Sequence, residues 1–439
     1  MKKLLFFWNE LKATFWFVPV LIIIFSILFS VGLVYLDSIL NLPQNNLTRF
    51  FLVNSADSAR SILSTISGAM IGVAGTVFSV TLVALTLASS QFGPRLIKNF
   101  MYVRLNQVVL GSYISTYLYC LFVLTAIKEG DYTFIPALSI LVAIFAAMAN
   151  IILLIIFIHR IAISIQADKV ISEISAFIST QLKTLFPEKM GEEAEGGKRP
   201  DITAIKSGYS KTVTLESPKS GYLQYIDSET LMEIITRNNA LLELNVRPGG
   251  FLVEELEIGH LHSNENIEKG EVAKILQQLV VGPIKTPQQD LEFSIHQMVE
   301  IAVRALSPGV NDPYTAIASI DNLTASLCYL GTAKFPSKFR FDTENNLRVI
   351  ADTLDFEGIL DAAFNQIRQF SAGSPAVIIR LMEALITIHQ FAKNMRYRKA
   401  IIKHANMVLR LGRESINEKN DLSDLEKRVE KIIEKPEKT

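Results

Sequence analysis

The sequence predicts an α-helical membrane protein with four transmembrane helices and a cytosolic α+β tail, in which a small β module is followed by a helical domain. Three observations predict it. Four long apolar runs fall within residues 1–165, strand-like alternation occupies 201–265, and helical periodicity dominates 266–439. A helical stem and charged linker, 166–200, joins the two halves.

The first span is expected from Phe15 to Leu36. Trp8, Phe15, Trp16 and Tyr35 stand near its ends as interfacial aromatics, and Pro19 falls in its first turns, where a missing N–H costs little. Lys2 and Lys3 precede it as in a signal peptide, yet three further spans follow and no small-residue cleavage site is evident, so a retained helix is expected. A polar connection, Asp37 to Arg60, carries Pro43 and an apolar patch from Leu47 to Val53. Asp57 or Ser58 is the expected cap of the second span.

That second span, Ile62 to Ser89, has no charge and organises the chain. Ser61, Thr65, Gly68, Gly72, Gly75, Thr76, Ser79, Thr86 and Ser90 recur at helical spacing as a small, polar stripe, while Ile66, Val73, Val77, Val80 and Leu87 fall largely elsewhere. Lipid gives no reason to gather glycines and hydroxyls on one side. The stripe therefore faces another helix, a copy of itself, or water. Two readings follow. Gly68 to Gly72, extended by Gly75, is a helix-contact motif within one bundle, or Thr65, Thr76, Ser79 and Thr86 line a water-filled path. A proton relay or charged ring within this helix is disfavoured by the absence of ionisable residues.

The third and fourth spans are expected at Val108–Ile127 and Phe134–Ile158, joined by the KEGDYT turn. Arg95, Lys98 and Arg104 lie between spans two and three without an acid, and Arg160 and Lys169 follow span four. With Lys2 and Lys3 they place both termini in the cytoplasm. The fourth helix is expected to continue as a stem bearing Ile165, Ile171, Ile174, Ile178, Leu182 and Leu185, up to a linker at Pro187–Pro200. In the tail, SGYLQYID reads as a strand ending at a helix cap, and LLELNVRPGGFLVEELEIGHL as two strands around the turn Pro248-Gly249-Gly250.

Lys+Arg 43 balances Asp+Glu 43, which leaves no overall basic surplus of the kind nucleic-acid binding would favour and counts against that partner class. The two cysteines, Cys120 in a span and Cys328 in the tail, are expected as free thiols on a reducing side. No Walker loop, dinucleotide fingerprint, HExxH or GxSxG occurs, so no catalytic residue and no cofactor are assigned.

The densest polar constellation is TPQQDLEFSIHQMVEIAVRALSPGVNDPYTAIASIDNL. A helix bearing Ile295, Val299, Ala302 and Leu306 is expected to stop at Ser307 before Pro308. Gly309 then supplies the positive φ of a turn, Asp312 caps and Pro313 starts the next helix. A tight helix-turn-helix joint accounts for most of SPGVNDP. The remaining polar residues, Asp290, His296, Glu300, Arg304, Asn311, Asp312 and Asp321, form a candidate cytosolic polar site, with Arg304 pairing to Asp312 as the simpler alternative. His260 and His262 alternate on one face of a strand, a weak metal hint that no third ligand completes, so no metal site is assigned.

The blocks LSTISGAMIGVAGTVFSVTLVALTLASSQFGPRLIKNF and TPQQDLEFSIHQMVEIAVRALSPGVNDPYTA resemble a bacterial family of predicted membrane proteins known as a domain of unknown function, number twenty-two fifty-four. The resemblance extends over nearly the full length. It implies the four-span-plus-tail layout and a bacterial inner membrane, and no activity. VRPGGFLVEEL bears a weaker likeness to turns of barrel-sandwich domains, without a lysine at its tip to serve as a lipoyl-type arm.

The expected function is a homo-oligomeric channel or transport-like protein, whose partners are the lipid bilayer and copies of itself. Thr65, Gly68, Gly72, Gly75, Thr76, Ser79 and Thr86 pack or line the path, and the tail assembles or gates. The alternative is a membrane-tethered scaffold or sensor whose tail binds a ligand or cytosolic partner around Asp290, His296, Arg304, Asn311 and Asp312.

Overall fold

The computed structural model describes residues 11–12, 14–40, 55–93, 104–128, 134–164, 166–185, 200–333 and 335–433. Lys2, Lys3, Trp8, the Leu47–Val53 patch, Arg95, Lys98, the KEGDYT turn beyond Lys128, Ile165 and linker residues 186–199 lie outside them. The chain divides into two compact units, Met1–Lys169 and Val170–Thr439.

In the first unit, four helices are long and apolar enough to cross a membrane: α1 Phe17–Ile39, α2 Ala56–Phe92, α3 Arg104–Ala126 and α4 Ala137–Ser164. α3 packs against the other three. Its Gly111 lets α1 approach closely, since a Cβ there would stand 2.9 Å from the Cα of Pro19. Outward side chains of α1 and α4, such as Leu21, Phe25, Leu28, Phe145, Ile151 and Ile155, are bulky and apolar, as lipid contact requires.

α2 is 37 residues long, about 55 Å against a hydrocarbon core of about 30 Å, so it is long enough to extend beyond the core. Its N-cap is Ser55, without a side-chain cap bond. Asp57 instead lies in the first turn, where a carboxylate complements the helix dipole.

Polar contacts tie the spans together. Asp37, at the end of α1, accepts hydrogen bonds from the amides of Leu138 (3.1 Å) and Ser139 (2.9 Å) and from the Ser139 hydroxyl (2.5 Å), capping α4 from a different helix. At the middle of α4, Asn150 is fully buried. Its Oδ1 accepts from Ser112 Oγ (2.6 Å), and its Nδ2 donates to Thr116 Oγ1 (2.8 Å) and lies 3.5 Å from Met70 Sδ. Tyr113 donates to the Asn150 carbonyl at 2.7 Å. Each group finds a partner inside the bundle, which an apolar solvent demands.

The second unit holds most of the stem. Rather than continuing α4, the chain starts a new helix, α5 Ala167–Leu185, with Asp168 in its first turn. Val170, Ile171, Ile174, Ile178 and Leu182 are buried. Gln181 donates to the Pro287 carbonyl and accepts from Ser294 Oγ at 2.6 Å.

Next come α6 Ile202–Ser207, β1 Lys211–Glu216, β2 Gly221–Ile226, α7 Ser228–Arg237, β3 Leu241–Leu244, β4 Phe251–Leu252, β5 Glu257–Ser263, α8 Lys269–Leu276, β6 Leu279–Gly282, α9 Leu291–Ala305, α10 Pro313–Thr332, β7 Phe339–Phe341 and β8 Leu347–Ala351. Helices α11 Phe356–Phe370, α12 Pro375–Phe391, α13 Met395–Ser415 and α14 Lys419–Ile433 complete it. A five-stranded sheet has the order β1-β5-β3-β8-β7, and a three-stranded sheet β4-β2-β6.

The expected strand β2 and its cap are present, with Asp227 accepting from the Thr230 amide. The two strands expected around Pro248-Gly249-Gly250 are β3 and β5, with the short β4 as an additional strand between them. β3 pairs antiparallel with β5 and parallel with β8, while β4 joins β2 in the other sheet, so the turn carries the chain between sheets. Strands β7 and β8 also arise where helical periodicity was expected. They are three and five residues long and include the buried Arg340 and Arg348, so charge breaks the apolar pattern that would announce them. Between the sheets and helices α7 and α8 sits a core that includes Leu215, Leu223, Leu231, Ile235, Leu242, Leu261, Ile275 and Val349.

Candidate functional site

Within α2 the packed face carries Ala59, Leu63, Met70, Ala74, Val77, Thr81 and Ala88. At 100° per residue the stripe lies on the opposite side. Ser61, Thr65, Gly68, Gly72, Gly75, Thr76, Ser79, Thr86 and Ser90 are all exposed. Among the described residues, no heavy atom of a neighbouring element lies within 4 Å of where a Cβ would stand on Gly68, Gly72 or Gly75. Among the described residues, no other helix packs on these glycines. Gly111 of α3 makes that close approach instead.

The hydroxyls of the stripe donate to their own helix. Thr65 bonds the Ser61 carbonyl (2.7 Å), Thr76 that of Gly72 (3.3 Å), Ser79 that of Gly75 (2.9 Å) and Thr86 that of Leu82 (2.9 Å). With their protons so placed, the oxygens present lone pairs outward, an acceptor surface without charge. Ser61, Thr65, Gly68, Gly72, Gly75, Ser79, Leu82 and Thr86 also alternate four- and three-residue steps, the spacing of a left-handed supercoil seam.

The polar candidates of the tail do not form one cluster. Asp290 caps α9, its Oδ1 accepting from the Phe293 amide at 2.9 Å. It is 4% exposed, and its Oδ2 abuts Gly249, whose φ is +92°; a Cβ on Gly249 would overlap it. Lys285 Nζ stands 3.9 Å away, and Arg247 pairs with Glu292 at 2.6 Å, so the turn is clasped to the start of α9. Burial raises the Asp290 pKa despite the Phe293 amide and Lys285.

His296 and Arg304 lie further along α9 and are half-buried. Fourteen residues at 1.5 Å put Arg304 about 21 Å along the axis from Asp290, so the two cannot share a small-ligand site. At the far end the helix-turn-helix joint forms as expected, with one difference. The left-handed residue is Asn311 (φ +48°) rather than Gly309, because asparagine tolerates that region. Asp312 Oδ1 accepts from the amides of Tyr314 and Thr315 at 3.1 Å, and Oδ2 from Thr315 Oγ1 at 2.6 Å. The carboxylate thus serves the helix start, and no ion pair joins it to Arg304. Asp321 binds Arg380 at 2.5 Å.

His260 and His262 do share a face of the five-stranded sheet, ring centroids 6.2 Å apart. Among the described residues no group of three His, Cys, Asp or Glu side chains is placed to hold a metal.

Sequence reading missed Asn150, Asp37 and Gly111. Their signals were an amide inside an otherwise apolar span, an acid at a span's end, and the small, hydroxyl-rich GSYIST run of the third span.

The pattern of the family described as "Predicted membrane protein (DUF2254)" matches residues 12–387. A protein of Mycobacterium bovis and one of Mycobacterium tuberculosis, both named as uncharacterized, are each 30% identical over 389 residues, covering 86% of this chain and 73% of theirs. No solved structure matches.

Proposed function

The chain belongs to the DUF2254 family of predicted membrane proteins, and we propose, from the geometry of α2, that it is a homo-oligomeric channel or transport-like protein of the bacterial cytoplasmic membrane. In this reading the α2 helices of several copies face a common axis, both termini are cytoplasmic, and the α+β unit assembles or gates the pore.

One observation carries the reading: α2 turns a small, hydroxyl-bearing face away from its own bundle, opposite the face that packs. The outward faces of α1 and α4 are largely bulky, so among the described spans this face has no matching counterpart, and another copy of α2 would supply one. Its seam spacing suits a left-handed crossing of like helices. Lone pairs of Thr65, Thr76, Ser79 and Thr86 would replace part of a solute's hydration shell, which suits water or a cation better than an anion.

The alternative is a membrane-tethered scaffold or sensor whose tail binds a ligand or cytosolic partner; with Asp290 and Arg304 about 21 Å apart along α9, such a tail would offer an extended partner surface rather than one small-ligand pocket.

Gly72→Leu and Gly75→Leu test the proposal in nanodiscs and liposomes. Both are expected to reduce the assembly to smaller species and to abolish flux measured for the parent protein. A parent protein that is monomeric in nanodiscs, or variants that assemble and conduct normally, would overturn it.

A further inference from the structure

The five-stranded sheet has two faces. One builds the core. The other carries Thr212 of β1, His260 and His262 of β5, Glu243 and Leu241 of β3, and Ile350 of β8. The six-residue helix α6 and Tyr209 lie against it, with Ile205 and Tyr209 packed on Leu241, Phe341 and Leu347.

A single ion pair fixes α6 at its C-terminal end: Lys206 Nζ to Glu243 Oε2, 2.6 Å. The same carboxylate oxygen lies 3.6 Å from Nε2 of His262. His262 is 7% exposed, its Nδ1 is engaged by Thr212 Oγ1 at 3.0 Å, and its Nε2 has no hydrogen-bond partner. One half-buried carboxylate oxygen thus stands between a lysine that bonds it at 2.6 Å and a histidine 3.6 Å away.

We propose that α6 is a proton-sensitive strap, held on the sheet by Lys206 while His262 is neutral and loosened when His262 gains a proton and competes for Glu243. The groups facing His262 set the direction. Glu243 of β3 attracts the imidazolium, whereas Lys206 of α6 and His260 of β5 repel it. Thr212 of β1 and the ring of Tyr209, 6.4 Å away, carry no charge. Before protonation Lys206 and Glu243 cancel; afterwards the pocket holds one uncompensated positive charge.

The cheapest relief moves Lys206. It is the more exposed of the two cations and sits on a flexible stem from a six-residue helix. Burial pushes the His262 pKa below the ordinary histidine value, with Glu243 opposing, so neutral conditions leave the strap closed. For Glu243, burial acts upward, but Lys206 and His262 together hold the carboxyl below its usual range.

The test is hydrogen exchange of the full chain in detergent, corrected for the intrinsic pH dependence of exchange and read on peptides spanning residues 201–210. The amides of Ile205, Gly208 and Tyr209 are hydrogen-bonded in the closed strap. Protection is expected to fall severalfold between pH 8 and pH 5.5 in the parent protein, with about tenfold as the ceiling for one histidine that regains its ordinary pKa of about 6.5 on opening. In His262→Gln it is expected to stay high at both values, and His260→Gln is expected to keep the parent's pH response. Lys206→Met should be poorly protected at pH 8 already, which keeps the proposal falsifiable if His262→Gln does not fold. A parent without the fall, a His262→Gln variant that retains it, or a Lys206→Met variant protected like the parent at pH 8 would each overturn the strap. None of these outcomes depends on the oligomer reading.

Discussion

Replacing Asn150 by leucine removes the polar centre of the membrane bundle while nearly conserving volume. Two close interhelical hydrogen bonds disappear, Ser112 Oγ to Oδ1 at 2.6 Å and Nδ2 to Thr116 Oγ1 at 2.8 Å. The long contact to Met70 Sδ contributes little, and Tyr113 keeps its bond to the backbone carbonyl of residue 150. Interhelical hydrogen bonds in bilayers average about 0.6 kcal/mol with a ceiling near 1.7, so two of them amount to roughly 1–3 kcal/mol. The lower end applies if Ser112 and Thr116 turn their hydroxyls back to their own helix, as the hydroxyls of α2 do. Reversible unfolding in mixed micelles reads this directly. Asn150→Leu should lose about 1–3 kcal/mol, and Ser112→Ala should lose less than Asn150→Leu. A leucine variant as stable as the parent would refute the assignment of Asn150 as the tie between α3 and α4.

Three further outcomes are expected. Asp37→Ala strips the cap from α4 and should cost about 0.5–2 kcal/mol in the same unfolding assay. Gly249→Ala forces an L residue to φ +92° and drives its Cβ into Asp290, so the loss should exceed about 1 kcal/mol, whereas Gly250→Ala, at an ordinary φ, should cost less. His404 is buried against Asp361 at 2.9 Å, and burial lowers its pKa with Asp361 opposing. The folded state then binds fewer protons than the unfolded chain. Stability is held above the ordinary histidine value of about 6.5 and lost as pH falls below it, by at most about 1.4 kcal/mol per pH unit for one proton. Thermal unfolding between pH 8 and pH 5 should show that sign, and His404→Gln should flatten the slope; an unchanged slope would contradict it.

The spans were legible because a bilayer imposes length and apolarity on local sequence, and each observed helix overlaps its expected run. The stem was legible as a periodic stripe, but its break from α4 was not, since both sides of the break are helical in pattern. Pro248-Gly249-Gly250 announced a turn correctly. That the strand directly after it joins β2 in the other sheet, and that β3 also pairs with the distant β8, no local pattern encodes. The polar residues of α9 fell near one another in sequence while the helix that carries them separates Asp290 from Arg304. Conversely, Lys206, Glu243 and His262 meet only through sheet order, so their association was invisible along the chain. The stripe on α2 could be drawn from spacing alone, yet that Gly111 rather than Gly72 receives a neighbouring helix required the packed bundle.

A shared pathway requires that the glycine and hydroxyl face of α2 be shielded from acyl chains. Spin labels placed singly at Thr65, Ser79 and Thr86 in lipid bilayers, in a cysteine-free background lacking Cys120 and Cys328, measure this through collision with oxygen and with a water-soluble nickel chelate. The expected result is low oxygen accessibility at all three sites compared with labels at the lipid-facing Phe25 and Ile155. Oxygen accessibility at Ser79 and Thr86 equal to that at Phe25 would place the face in lipid and contradict both the assembly and the pathway.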